Sequence, residues 1–158
     1  MSDLSASEKR VDKVLRASGS KAEIVQLEEL AHTALQAADA LGVDVAQIVK
    51  SLVFRGAETN KAYLLLVSGA NRVHERRVGR QLGEKLGRAD ADFVRTHTGF
   101  AIGGVLPLGA VGNVNIYIDQ TLLDLGKIWA AAGHPRSVFP TTADELISIT
   151  GAIPIDVR

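Results

Sequence analysis

A chain of 158 residues can bury roughly 70% of its unfolded surface as one domain, here 1–158, and needs no staple. Its 18 lysines and arginines offset 18 aspartates and glutamates, so no global field draws it to a polyanion and any nucleic-acid contact must be local. With no cysteine there is no disulfide framework, thiolate nucleophile or Cys-based zinc site, which fits a reducing, cytoplasmic compartment.

The first twenty residues alternate charge instead of building an apolar core, so no signal peptide is expected. Ser7, followed by Glu8, opens an amphipathic helix with Val11, Val14 and Leu15 on its apolar side and Gly19 as a stop. "AEIVQL" reads as a short strand. Thr33 caps a second helix over "ALQAADAL", with Leu35, Ala38 and Leu41 on one side and Gly42 at its end. Asp44 starts a brief turn. In the strand that follows, Ile48, Lys50, Leu52 and Phe54 share one face, and Val49, Ser51, Val53 and Arg55 the other. The polar loop "GAETNKA" joins this strand to "YLLLV" as an antiparallel hairpin.

A basic segment, Asn71 to Arg88, carries Arg72, Arg76, Arg77, Arg80, Lys85 and Arg88 against Glu75 and Glu84, helical over 75–82. "ADADFVRTHTG" makes a short helix ending at Gly99. Gly99, Gly103, Gly104, Gly109, Gly112 and Pro107 then exclude a regular element from "GFAIGGVLPLGAVGN". "VNIYID", "KIWAAAG" and "RSVF" read as strands, and Thr142 with Glu145 caps a last helix over "ADELISIT". The apolar end "GAIPIDVR" suits packing on this chain or on a partner. Apolar runs such as "AYLLLV" are too short to span a bilayer, so no membrane contact is expected. The order of elements argues for an α+β domain with a mostly antiparallel, barrel-like sheet.

Lys50 is the first residue that chemistry singles out, because its ammonium shares a face with three large apolar side chains. It is either a strand-end lysine whose stem covers apolar surface, or a lysine at a pocket mouth, poised for a phosphate or a polarised carbonyl. It cannot form a dyad with Ser51, which points to the opposite face. Gly103 and Gly104, followed by Pro107, make a loop whose backbone N–H groups can face a developing oxyanion, or a plain tight connection. His32, His74, His97 and His134 have no metal-ligand spacing, so neither metal nor cofactor is expected. Asp119 is either a helix cap or a site carboxylate, and the 71–88 segment either a solvated face or a phosphate contact.

Four stretches in order, "AADALGVDVAQIVKSLVFR", "GFAIGGVLPLG", "IYIDQTLL" and "WAAAGHPRSVFPTTADELISITGA", resemble the YbaK family, the freestanding relatives of the editing domain inserted in bacterial prolyl-tRNA synthetases. The resemblance is strongest over 22–152. It implies a trans-editing deacylase that hydrolyses the ester of a mischarged aminoacyl-tRNA, on a fold with a central mixed barrel flanked by helices; tRNA-Pro is the first candidate acceptor, with other tRNAs left open, and prolyl-tRNA synthetase a candidate partner. It also implies functional residues: Lys50 as the hallmark lysine, the Gly103–Pro107 loop at the substrate's 3′ end, and His134 at the place of a histidine implicated in some members. Leu106 and Leu108 depart from the family, standing where relatives often have proline and an aromatic residue, which bears on pocket shape.

The expected catalytic set is therefore Lys50, Gly103, Gly104 and His134, with Ser51, Pro107, Asp119 and Gly133 binding substrate and Arg72, Arg76, Arg77 and Arg80 binding tRNA. An aminoacyl ester is already activated, so orienting a water and stabilising the oxyanion suffice without a covalent nucleophile. The amino acid removed stays open among alanine, cysteine, serine, threonine and aminobutyrate. A non-catalytic adaptor for tRNA or synthetase, and a hydrolase of free esters, are the alternative readings.

Overall fold

Ser5, not Ser7, begins the first helix in the computed structural model, which describes residues 4–158. The first three residues of the expected 1–158 domain lie outside the described residues. A capping box needs its glutamate three residues after the cap, and Glu8 meets that condition from Ser5: each side chain accepts a hydrogen bond from the other residue's backbone N–H. Helix α1 (Ala6–Ala17) buries Val11 and Leu15 completely. Of the expected strand at 22–27 only β1 (Val25–Gln26) forms. In α2 (Ala34–Leu41), capped by Thr33, Ala38 and Leu41 of the expected stripe join Ala37 in the cluster of Ile48, while Leu35 is 60% exposed and falls outside it.

Strands β2 (Val49–Gly56) and β3 (Ala62–Ser68) form the expected antiparallel hairpin, with Lys50 opposite Val67 and Ser51 opposite Leu66. Helix α3 (Glu75–Leu82), strand β4 (Leu86–Arg88), helix α4 (Ala91–Thr98), strands β5 (Val114–Asp119), β6 (Ile128–Ala131) and β7 (Ser137–Thr141), helix α5 (Ala143–Thr150) and strand β8 (Ile153–Ile155) complete the order. Thr142 caps α5 through the Glu145 N–H, but the Glu145 carboxylate turns to the Thr141 hydroxyl, so only half of a capping box is present. The C-terminus packs on this chain: β8 pairs with β5, and Val157 is fully buried.

The fold is α+β, with two sheets among the described residues, ordered β4-β2-β3-β5-β8 and β1-β7-β6. The β3–β5 and β5–β8 pairs are parallel and the other pairs antiparallel, so the larger sheet is mixed as expected. The barrel-like expectation is corrected, because neither sheet closes. Closure needs a continuous ladder, and what joins the sheets is a single bridge between Ile48 and Trp129.

Strand β3 is buried on both faces, which explains its unbroken apolar run. Leu64 and Leu66 meet Val11 and Leu15 of α1, Phe139 of β7 and Leu146 of α5 on one face. Tyr63, Leu65 and Val67 meet Val78 of α3, Leu86 and Val157 on the other. The hairpin loop folds around one carboxylate. Glu84, 9% exposed, accepts from the backbone of Glu58 and Thr59, from Thr59 Oγ1 at 2.7 Å and from Tyr63 Oη at 2.6 Å. The Tyr63 and Thr59 hydroxyls hold its pKa down to about 2, while burial and the neighbouring carboxylate push the Tyr63 phenol up to about 12. A carboxylate with a depressed folded pKa stabilises above its unfolded pKa and loses that contribution as pH falls through the folded one. Glu84→Gln should therefore lower the thermal midpoint by several degrees at neutral pH and flatten its acid slope between about pH 5 and pH 2, as read by melts across pH.

Candidate active site

Strand β4 covers only Phe54 to Gly56 of β2, so the first half of β2 is an open edge. A cleft of about 430 Å³ runs along that edge, a size usual for small-ligand sites. Its walls are Ile48–Ser51, the start of α2 (His32–Ala34), the loop after α4 (Gly99–Ala101 and Gly103–Leu106), the β6–β7 turn (Gly133–Pro135) and Ser7 and Arg10 of α1, with Trp129 among the other lining residues. Lying along an edge, the cleft borders both faces of the strand, which is why Lys50 and Ser51 line it together although they alternate. Among the described residues no aspartate or glutamate lines it.

Lys50 is half-buried, and its Nζ donates to the Asn71 carbonyl at 2.5 Å. Burial pushes its pKa down and the Arg72 cation adds to this, while Asp119 partly opposes both. Leu52 and Phe54 share the apolar cluster of Tyr63 and Val67, as alternation predicts, but Ile48 leaves for the cluster of Ala37 and Ala38. Ser51 Oγ makes no hydrogen bond to Lys50 among the described residues, consistent with the exclusion of a dyad.

Asp119 does not line the cleft, and of its two expected readings the structure shows the cap. It is 1% exposed, caps the turn Gln120–Asp124, and accepts from Ser68 N at 3.1 Å, Thr121 N at 2.9 Å and Asn71 Nδ2 at 2.8 Å. Its last strand position turns the carboxylate inward, where it fixes Asn71, whose carbonyl holds Lys50.

The glycine loop is also refined. Gly104 N donates to the Ala101 carbonyl at 2.9 Å across a turn in which Gly103 has φ +80°, the geometry of a type II turn. The Gly104 amide is thereby engaged, whereas the Gly103 amide, like those of Ala101, Ile102, Val105 and Leu106, makes no hydrogen bond among the described residues. Pro107, expected to bind substrate, is buried next to the buried Leu106 and Leu108 and is not among the lining residues of the cleft.

His134 is exposed at the cleft mouth. Its Nδ1 accepts from Arg136 N at 3.0 Å, so the neutral ring carries its proton on Nε2 and offers a donor, not a base. Gly133 lines the cleft too, but packs so closely on α1 that a Cβ there would lie 2.7 Å from Ser7 Cβ.

The expected tRNA arginines are split. Arg76 and Arg80 line a separate cleft of about 830 Å³ between α3 and β4 together with Lys85, Arg72 neighbours Lys50, and Arg77 lines neither cleft. No group of three potential metal ligands exists among the described residues. Sequence reasoning missed Arg10, His32 and Trp129 as cleft residues. Arg10 stands four positions before Val14 of the apolar stripe, the one linear hint that its side chain leans toward the core.

A family model described as the aminoacyl-tRNA editing domain matches residues 28–149. The chain belongs to this family. The Bacillus subtilis (strain 168) protein YwhH is 30% identical over 124 residues, 78% of each chain. A solved structure described as a candidate trans-editing enzyme for prolyl-tRNA synthetase superposes with a TM-score of 0.89 at 44% identity, covering 99% of both chains. A proline–tRNA ligase of Limosilactobacillus fermentum (strain NBRC 3956 / LMG 18251) is 35% identical over 96 residues, 58% of this chain but 17% of the ligase. Within this editing domain Lys50, the Gly103 turn and His134 all fall inside the family match, whereas α1, with Arg10, precedes it. No helix among the described residues is long and apolar enough to cross a membrane.

Proposed function

We propose that residues 1–158 form one editing domain that hydrolyses the ester of a mischarged aminoacyl-tRNA in the cytoplasm, with tRNA-Pro carrying a small amino acid as substrate and prolyl-tRNA synthetase as partner. The observation that supports this reading is one cleft lined by Lys50, Gly103 and His134 with no carboxylate or thiol among its described lining residues to act as nucleophile. In this scheme water attacks the ester carbonyl carbon and the carbonyl π electrons move to oxygen. The Gly103 N–H meets that oxyanion. The tetrahedral intermediate then expels the ribose oxygen, which leaves with a proton from the attacking water, and the free neighbouring ribose hydroxyl helps position that water. Lys50 stays charged and anchors the terminal adenosine through its phosphate or the carbonyl oxygen.

Selection for small residues rests on exclusion, because one methylene in an apolar pocket discriminates by only about 1–3 kcal/mol. The test is a deacylation panel on tRNA-Pro carrying alanine, cysteine, serine, threonine, aminobutyrate or proline. Hydrolysis of at least one small residue with proline spared is expected. Inertness toward all of them would leave a binding adaptor, and equal hydrolysis of simple aminoacyl esters would make the tRNA irrelevant.

Lys50 and Gly56, the β2 partner of Leu86, are separated by about 20 Å of strand at the usual rise. In this reading the cleft of Arg76, Arg80 and Lys85, which Glu75 and Glu84 also line, takes backbone beyond the 3′ tail. Arg76→Ala with Arg80→Ala should weaken tRNA binding and cut the slope of log affinity against log salt by about two, whereas Arg77→Ala should change it little. A flat salt response in the unmodified protein would return this cleft to ordinary surface.

A further inference from the structure

Arg10 is a half-buried cation whose charge no carboxylate balances among the described residues. Among the described residues its guanidinium makes neither an ion pair nor a hydrogen bond, so its five N–H donors are unused. Yet it is held in place. The guanidinium lies over the Phe100 ring, 5.6 Å from its centroid. Gly109 leaves the slot for its stem: a Cβ there would stand 2.9 Å from Arg10 Cδ and 3.0 Å from Cγ. Arg10 also lines the cleft of Lys50, where it is the second cation in a site with no acidic side chain among the described residues, although the chain as a whole is balanced.

A site with that charge is complementary to an anion. Under the reading above, which this inference rests on, the aminoacyl group brings none: its carboxyl is esterified and its amino group is a cation. The anion nearest the ester is the phosphodiester on the 5′ side of the terminal adenosine. We infer that Arg10 binds this phosphodiester through its planar fork of donors, leaving Lys50 to the carbonyl oxygen. The α1 helix, which precedes the family match, thereby supplies a substrate-binding residue of its own.

The probes are the dinucleotide cytidylyl-(3′→5′)-adenosine, which carries that phosphodiester, and adenosine, which does not, titrated against the protein by NMR. The unmodified protein should bind the dinucleotide at least tenfold more tightly than adenosine. In Arg10→Met, which keeps the stem and its packing on Phe100, the ratio should fall to about two or less, and Arg10→Lys should keep part of it as a point charge. An equal ratio in unmodified protein and Arg10→Met, or no preference in the unmodified protein, overturns the assignment. With mischarged tRNA, Arg10→Met should raise KM at least tenfold while kcat falls less than threefold. Should Arg10→Met fail a thermal-melt check of folding, Arg10→Lys against Arg10→Gln carries the same comparison. Active unmodified protein with an unmoved KM in Arg10→Met overturns the role of Arg10 alone. Unmodified protein inert on every mischarged tRNA overturns the ester-hydrolysis reading, and the dinucleotide ratio then decides Arg10 separately.

Discussion

Lys50→Ala should lower deacylation of a mischarged small-residue tRNA by well over tenfold without unfolding the protein. The fold treats this lysine as a cost. Burial and the Arg72 cation push its pKa down, which means that the folded state disfavours the ammonium relative to the unfolded chain. For a lysine lowered in this way the unfolded state binds more protons between the two pKa values, so stability rises with pH through that window. Removing the charge removes the penalty. Lys50→Met, which keeps the stem beside Val67, should therefore melt at or above the unmodified protein at neutral pH, with the difference shrinking as pH rises toward the ordinary lysine range. Activity and melting measured on one preparation decide the matter. Turnover near the unmodified level would remove Lys50 from the chemistry, and a large drop in melting temperature would make it a structural lysine whose loss says nothing about the ester.

Helices were readable where local signals fix both ends. The Glu75–Leu82 helix and the Ala91–Thr98 helix match expectation because each is followed by a glycine in the left-handed region, Gly83 and Gly99. The three-residue strands β4 and β8 were not readable, since three residues show no period and their pairing to β2 and β5 is decided by distant chain. The same limit applies to the site. Alternation placed Lys50 with Leu52 and Phe54, but the cleft exists because β4 stops at Phe54 and uncovers the rest of β2. Asp119 illustrates a further limit. A buried carboxylate fixing Asn71 and a carboxylate facing a ligand have the same linear context, and only the partners at 2.8–3.1 Å separate them. Arg10 was invisible because its meaning lies in what it does not contact.

Gly112→Ala should also carry a large penalty, and for a reason independent of any charge. The loop after α4 returns across the end of that helix, where Val111 N donates to the Thr98 carbonyl at 3.0 Å. A Cβ on Gly112 would lie 2.0 Å from the His97 carbonyl oxygen and 2.7 Å from its carbon, both backbone atoms that cannot swing aside. Restoring ordinary contact needs a shift of about 1 Å or more, shared between α4 and the loop. That loop carries Phe100, Gly103 and Gly104 into the cleft, so the displacement reaches the amide proposed for the oxyanion. A misplacement of about 1 Å can cost on the order of a hundredfold in rate, and overpacking of this kind about 1–3 kcal/mol in stability. Gly126→Ala is the control: with φ +67° and nothing within 4 Å of the added carbon, it strains the backbone by about 1 kcal/mol and lies outside the cleft. Deacylation should fall at least tenfold in Gly112→Ala and stay near normal in Gly126→Ala. Equal turnover in the two variants would mean that the loop does not set the geometry of the reaction.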